Sequence, residues 1–552
     1  MKMKKRMYLK AISIMIVACM GLSACGNKAT PTSAPSDGTS SPLQGGEKNL
    51  AYPADPTAPP PAGAKFADHI EAVFTANELS VLNVHNAAGN SPTAIVAYKM
   101  FLDPLVFEDY PSYELGSCLA KSWDVIDSTE FTFYLRDDVY WHDGEKFTAD
   151  DVCFTVEASQ TWGQGGSSYD AWQEVESYKA LDEYTVYFKL KTKDVEFLSK
   201  IAQSSCGIVS RKAVTADDVK GYMIGTGAYK VSDFASIDHV TFERNDNYWG
   251  EKPITKTQTW RIIPEANTRT IMLQSGQTDA IFTTLSEGDI EQFKAEPDKF
   301  SIIQPPPGGG PNAILFNMTD PILSDYNFRR ACVHAINREE VALVAQGQYG
   351  YAPVTDGTMW GYYMPYRNKD IPFIEYDPAK AEEYLAKSSY NGEEITILTA
   401  MFSVDYIKCS EMIQQQLNSV GIKTKIVQTD NAGLQAATQP ETRSKNQILV
   451  WTQTLTSNRI SAYKPVFYTN AVRNRQSFSN AELDELIDKD AITEFGPEKE
   501  AIALRMQEIV SESLCTVNLF WSQTNQACVK ALGGIKFFLV SPDYRYIYKV
   551  VE

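Results

Sequence analysis

The sequence has 552 residues, a formal net charge of −18, 43% apolar residues and nine cysteines. So acidic a chain does not track a phosphate backbone, which argues against nucleic-acid binding. It is also too long for a single hydrophobic core, so two or three domains are expected.

Lys2, Lys4, Lys5, Arg6 and Lys10 precede an apolar run from Ala11 to Leu22, followed by Ser23-Ala24-Cys25. A basic start, a short apolar run and small residues before the break describe a secretory signal over residues 1–24. The run is shorter than the roughly 20 apolar residues that span a bilayer. Cys25 after Leu-Ser-Ala looks like a bacterial lipobox, whose cysteine is lipidated; an ordinary cysteine beside a cleavage site is the competing reading. Stable anchoring takes two acyl chains, each methylene contributing ~0.8 kcal/mol, so a diacylglyceryl cysteine suffices as the anchor. The expected location is the extracytoplasmic face of the cell membrane, held by lipid alone. Residues 25–64 are rich in Pro, Ser, Thr, Ala and Gly, a composition that buries little and makes a flexible tether.

In the body, Leu82 to Ser91 (LNVHNAAGNS) gathers Asn83, His85, Asn86 and Asn90 around Gly89. These polar groups either line a pocket or form a solvent loop. A helix is predicted from Thr93 to Phe101. Phe131, Phe133 and Leu135 alternate with Thr132, Tyr134 and Arg136, the period of a half-buried strand. His142-Asp143-Gly144 then forms a turn, and Thr148 with Asp151 a helix-start pattern. Trp162 to Trp172 (WGQGGSSYDAW) lacks the GK[ST] of a phosphate loop. A loop offering Trp162 and Tyr169 to a ligand is preferred. Leu181 to Leu190 alternates as a strand, and Gly225 and Gly227 are read as a tight turn into two more strands. Arg269 to Ile281 reads helix, Gly, Asp, strand, and Pro305 to Pro311 (PPPGGGP) a hinge-side loop. Phe328 to Glu339 is amphipathic, with Arg329 and Arg330 expected in structural ion pairs. Asp377-Pro378 starts a helix. Ile395–Leu398, Tyr406–Val420 and Ile422–Val427 form a β-α-β unit, hence a parallel, helix-covered sheet.

Three strings carry more than local structure: LAKSWDVIDSTEFTFYLRDDVYWHDGEKFTADDV from Leu119, MIGTGAYKV with NDNYWG between Met223 and Gly250, and LFNM with FRRA and HAINRE after Leu315. Together they resemble the family 5 solute-binding proteins of ABC importers, the oligopeptide- and dipeptide-binding group. The resemblance implies an α/β, two-lobed periplasmic-binding-protein-like fold (class II, three-domain, peptide-binding-protein type). Lobe I would be residues 65–105, 179–275 and 525–552, the inserted domain II 106–178 and lobe III 276–524, with lobe crossings near 275 and 525. It further implies capture of a small solute, an oligopeptide or related compound, between lobes and delivery to an ABC permease complex, by a monomer without cofactor or bound metal.

Two departures bear on the solute. The Asp-Pro that the family carries near residues 82–91 is absent, and so is the Asp that follows a Trp-containing strand in peptide binders. Here that strand reads ILVWTQTLTSNRISAY, with Trp451, Thr454, Thr456 and Arg459, and no acid occurs between Glu441 and Glu482. The same interval holds Arg443, Lys445, Arg459, Lys464, Arg473 and Arg475, either a solvated basic loop or a binding feature. Trp360, Tyr362 and Tyr363 could stack on sugar rings or apolar side chains. An oligosaccharide, an anionic compound or a metal chelate is therefore the alternative to a peptide. A secreted hydrolase is the remaining alternative, though the chain has no HExxH or GxSxG and its five histidines show no ligand spacing. After Cys19 and Cys25, the other cysteines (Cys118, Cys153, Cys206, Cys332, Cys409, Cys515 and Cys528) include no CxxC and are expected as small core residues.

Overall fold

Three sheets organise the protein in a computed structural model. It describes residues 55–551 except 76–78, 90, 110–113, 165, 167, 306–309, 356, 358–365, 402, 440–446, 453–459, 472 and 539–540. Cys25 and the signal therefore lie outside the described residues.

The first sheet has seven strands in the order Phe300–Ile303, Gln526–Val529, Ala280–Ile281, His69–Phe74, Thr257–Ile262, His239–Arg244 and Tyr229–Ala235. His69–Phe74 runs parallel to Thr257–Ile262 and Ala280–Ile281, and Gln526–Val529 runs against its neighbours. Its core is aromatic: Trp260 is fully buried, and Phe282 stacks on Tyr544 with centroids 3.8 Å apart. The second sheet is antiparallel, with Ala120–Ile126, Glu130–Leu135, Thr185–Leu190 and Val175–Asp182 in order. Phe131, Phe133 and Leu135 point into its core, as the period-two pattern predicts, and helix Ala149–Trp162 supplies Val152 and Val156 to the same core. The third sheet orders Tyr351–Pro353, Thr516–Ser522, Asn312–Phe316, Gln447–Thr452, Ile395–Ala400 and Thr424–Thr429. Its last two strands are parallel, as the β-α-β pattern predicts, joined through helix Val404–Ser419. All seven body cysteines are free and buried.

Sheet membership breaks at other places than the expected boundaries. Thr185–Leu190 lies in the four-stranded sheet because it pairs with both Glu130–Leu135 and Val175–Asp182. Ala280–Ile281 and Phe300–Ile303 stay with the seven-stranded sheet because both pair with Gln526–Val529. The Gly276 turn (φ +72°) ends a helix and leads back into the same sheet, so the first passage between sheets falls between Ile303 and Asn312, not near 275. The second runs from Ser522 to Gln526.

The signature stretches meet in space. His142 Nδ1 accepts from the Gly225 N–H (3.2 Å), and Nε2 lies 3.0 Å from the Gly227 carbonyl. Gly225 and Gly227 are needed for close approach rather than for a turn conformation. A Cβ on Gly225 would sit 1.6 Å from the Phe101 carbonyl oxygen, and one on Gly227 2.6 Å from the Phe101 carbonyl carbon. Beside them Asp103, 1% exposed, accepts from Thr226, Tyr248 and Trp249. Arg329 and Arg330 make no ion pair among the described residues. Arg329 donates to the Leu323 and Ser513 carbonyls, and Arg330 reaches His334 and Tyr384.

A separate contact joins the four-stranded sheet to the helices Ala481–Ile492 and Pro497–Ser513, which lie between the two passages in the chain. Lys499, fully buried, places its ammonium 3.0 Å from Asp490 Oδ1 and 3.6 Å from Glu196 Oε1. Ser461 donates to Glu196, the Val195 N–H to the Ala491 carbonyl, and Lys193 pairs with Glu494 at 3.2 Å.

Candidate functional site

Strand direction decides where a ligand can sit. In the seven-stranded sheet the carboxyl ends of His69–Phe74, Thr257–Ile262, Ala280–Ile281 and Phe300–Ile303 share one edge with the start of Gln526–Val529. In the six-stranded sheet the carboxyl ends of Ile395–Ala400, Gln447–Thr452 and Thr516–Ser522 share one edge with the start of Asn312–Phe316. Both passages between the sheets run from one of these edges to the other. Carboxyl edges of open α/β sheets are where ligands bind, and here two are tied together.

The first edge carries Leu79 to Gly89, the described part of the loop after Phe74. Asn83 Oδ1 accepts from the His85 N–H (2.8 Å) and shapes the turn, while exposed Asn86 accepts from the Ala88 N–H (2.8 Å). His85 is 3% exposed, with Nδ1 3.1 Å from Tyr222 Oη. Trp162 donates its Nε1–H to that same oxygen at 3.1 Å. Burial pushes the His85 pKa down to about 4, so the ring is neutral near pH 7. Tyr169, half-buried, starts a short helix behind the loop formed by Gly163 and Gly166. The structure thus gathers Asn83, His85 and Trp162 around Tyr222, a residue that sequence reasoning missed although it directly precedes the glycine signature. Asn90 lies outside the described residues.

The second edge is built from Trp451 and Thr452 at the end of Gln447–Thr452. Tyr406 packs against Trp451 with centroids 5.2 Å apart. Thr452 Oγ1 lies 2.7 Å from Tyr406 Oη and donates to Asn312 Oδ1 at 3.0 Å; Asn312 Nδ2 donates to Ser522 Oγ at 2.9 Å. Since Thr452 has one proton and gives it to Asn312, Tyr406 donates to Thr452. Hydroxyl and amide groups thus form one oriented chain along the edge. Arg475 lies over Trp451, its guanidinium carbon 5.6 Å from the ring centroid. Sequence reasoning missed Asn312, Tyr406 and Ser522, which come from three separate segments. Trp360, Tyr362, Tyr363, Thr454, Thr456 and Arg459 lie outside the described residues.

A cavity of about 540 Å³ lined by Trp141, Lys146, Asp150, Arg211 and neighbours lies beside the start of helix Ala149–Trp162. Of its charges, Arg211 pairs with Asp150 and Lys212 with Glu145, while Lys146 donates to the Tyr184 hydroxyl. Among the described residues no group of three or more His, Cys, Asp or Glu could hold a metal ion, and no helix is long and apolar enough to cross a membrane.

Residues 114–472 match the family model described as bacterial extracellular solute-binding proteins, family 5, middle. The chain belongs to this family. Among relatives of this family 5 protein, the dipeptide-binding protein of Escherichia coli is 27% identical over 341 residues, 56% of this chain and 62% of the relative. The glutathione-binding protein of Escherichia coli is 26% identical over 503 residues, 87% of this chain and 94% of the relative. Two solved structures share the two-lobed fold. An ABC transporter substrate-binding protein from Listeria monocytogenes has a TM-score of 0.76 and 23% identity, covering 88% of this chain and 100% of its own. The oligopeptide-binding protein of Bacillus subtilis in complex with a nonapeptide has a TM-score of 0.68 and 19% identity over 88% of this chain and 100% of its own.

Proposed function

We propose that the protein is the extracytoplasmic receptor of an ABC importer, a monomer that closes its lobes around a small solute and passes it to the permease. The observation that carries this reading is the pair of ligand-type sheet edges joined by two chain passages, Ile303 to Asn312 and Ser522 to Gln526. Two strands of linker permit hinge closure, and each edge brings aromatic and neutral polar groups suited to hold a solute in place. Membership of the family supports the receptor role over hydrolysis. The lipid anchor at Cys25 belongs to the same proposal. Cys25→Ala should yield unlipidated protein in the medium or uncleaved precursor, and retention of a lipid-labelled variant at mature mass would overturn it.

The solute is a small peptide-like or related compound that is not anchored through a free α-ammonium in the usual place. A buried ammonium without a carboxylate costs several kcal/mol, and the stretch after Trp451 supplies no acid before Glu482. Calorimetry with a free peptide and its N-acetylated twin tests this. The twins should bind alike, and tight binding of the free form that acetylation abolishes would show an ammonium site. A binding solute should also shrink the scattering radius, and at roughly 100 Kd it stabilises by about 2.7 kcal/mol.

A further inference from the structure

We propose that Arg475, with Arg473 beside it, anchors an anionic group of the solute, a carboxylate or phosphate, at the Trp451 end of the six-stranded sheet. This deepens the receptor reading and rests on it. The described arginines otherwise find acceptors: Arg136, Arg244 and Arg505 hold carboxylates, and Arg269 and Arg329 hold backbone carbonyls. Arg473 and Arg475 have no carboxylate or hydrogen-bond acceptor for their side chains among the described residues, and Arg475 Nε is buried with none. Among the described residues the Arg475 guanidinium lies over the Trp451 ring, against which Tyr406 packs, and like-charged Arg473 adds repulsion. No acid occurs in the chain between Glu441 and Glu482 to answer these charges.

A partly desolvated cation next to another cation is unfavourable unless an anion joins them. In a protein of net charge −18, where acids are abundant, a pair left without one among the described residues is suited to take its anion from a ligand. The guanidinium fork takes a carboxylate or phosphate through two parallel hydrogen bonds, which a lysine cannot reproduce. Trp451 carries Arg475 on its ring and Tyr406 beside it, and the Tyr406–Thr452–Asn312–Ser522 chain adds neutral hydrogen-bonding groups alongside. The edge therefore selects a solute that presents an anion and neutral polar atoms within a short span. Burial against Trp451 makes the attraction less screened than at a surface.

The test is calorimetry on the full mature chain with three probes: an N-acetylated dipeptide acid, its C-terminal amide, and the amide of N-acetyl-O-phosphoserine. The acid or the phosphate should bind at least about tenfold more tightly than the amide, and which of the two does so identifies the anion. Arg475→Gln should abolish that preference, Arg475→Lys should retain part of it, and Arg473→Gln should weaken it less. Equal melting temperatures of the unliganded variants exclude misfolding as the cause. Equal affinity for acid and amide, unchanged affinity in Arg475→Gln, or no binding of either anion at millimolar concentration would each overturn the assignment. A neutral or cationic solute that still shrinks the scattering radius would overturn the anion site while leaving the receptor standing. If no solute of any class closes the protein, the receptor reading itself fails.

Discussion

His142 and His85 are both held neutral by burial, each with a pKa near 4. His142 accepts from the Gly225 N–H and so must donate through Nε2 to the Gly227 carbonyl; a second ring proton would lose the first bond. In the unfolded chain both titrate near 6.5. Between pH 6.5 and 4 the unfolded state therefore binds more protons, so stability rises with pH in that window and is lost as pH falls. Each ring contributes about 3 kcal/mol to that loss. Asp490 works the other way, since burial pushes its carboxyl up to about 7 against the pull of Lys499. Its native form holds a proton that the unfolded chain has released, which lowers stability as pH rises from about 4 to 7. Thermal unfolding across pH 4 to 7 should show a melting temperature that falls toward acid. His85→Gln should flatten that fall, and Asp490→Asn should steepen it. An unchanged slope in both variants would contradict the buried-neutral assignment.

At the scale of elements, Asp151 ties a helix start to two other segments. Its carboxylate accepts from the Thr148 N–H (3.0 Å), the Arg211 N–H (3.0 Å) and Trp141 Nε1 (3.3 Å). Asp151→Ala strands these donors, one of them, the Arg211 N–H, 60 residues along the chain, and should cost about 2–3 kcal/mol in urea unfolding. Thr148→Ala should cost nearer 1 kcal/mol, since it loses only a cap. The Thr148–Asp151 pattern was legible because a cap is local, and Phe131, Phe133 and Leu135 were legible because a strand's two faces repeat every second residue. Gly225 and Gly227 were legible as important but not for the right reason, since their limit is the Phe101 backbone on a remote helix. The first passage between sheets was misplaced because Ala280–Ile281 and Phe300–Ile303 are short, and only pairing with the distant Gln526–Val529 decides their sheet. The same holds for the site. Asn83, His85 and Trp162 could be named as candidates by residue type, but Tyr222, Asn312, Tyr406 and Ser522 join the candidate edges only when separate strands and loops meet. Arg475 could be read as part of a basic interval, while its lack of an acceptor among the described residues is a property of the folded surroundings.

For the whole molecule, the Lys499 contact matters because its partners sit in different parts of the chain. Asp490 is nine residues away, whereas Glu196 and the Val195–Ala491 bond belong to the four-stranded side. If the lobes separate about the two passages, Glu196 leaves and one face of Lys499 meets water. Glu196→Gln removes one carboxylate from a buried pair and should favour the separated form, seen as a larger scattering radius without solute. The amine of Lys499 then becomes a clock. An acylating reagent cannot reach it while its side chain is fully buried, so its modification rate, followed by mass spectrometry, counts opening events. Saturating solute should slow that rate while surface lysines such as Lys212 react unchanged, and Glu196→Gln should quicken it. A rate for Lys499 equal to that of Lys212 would mean the contact is never closed in solution.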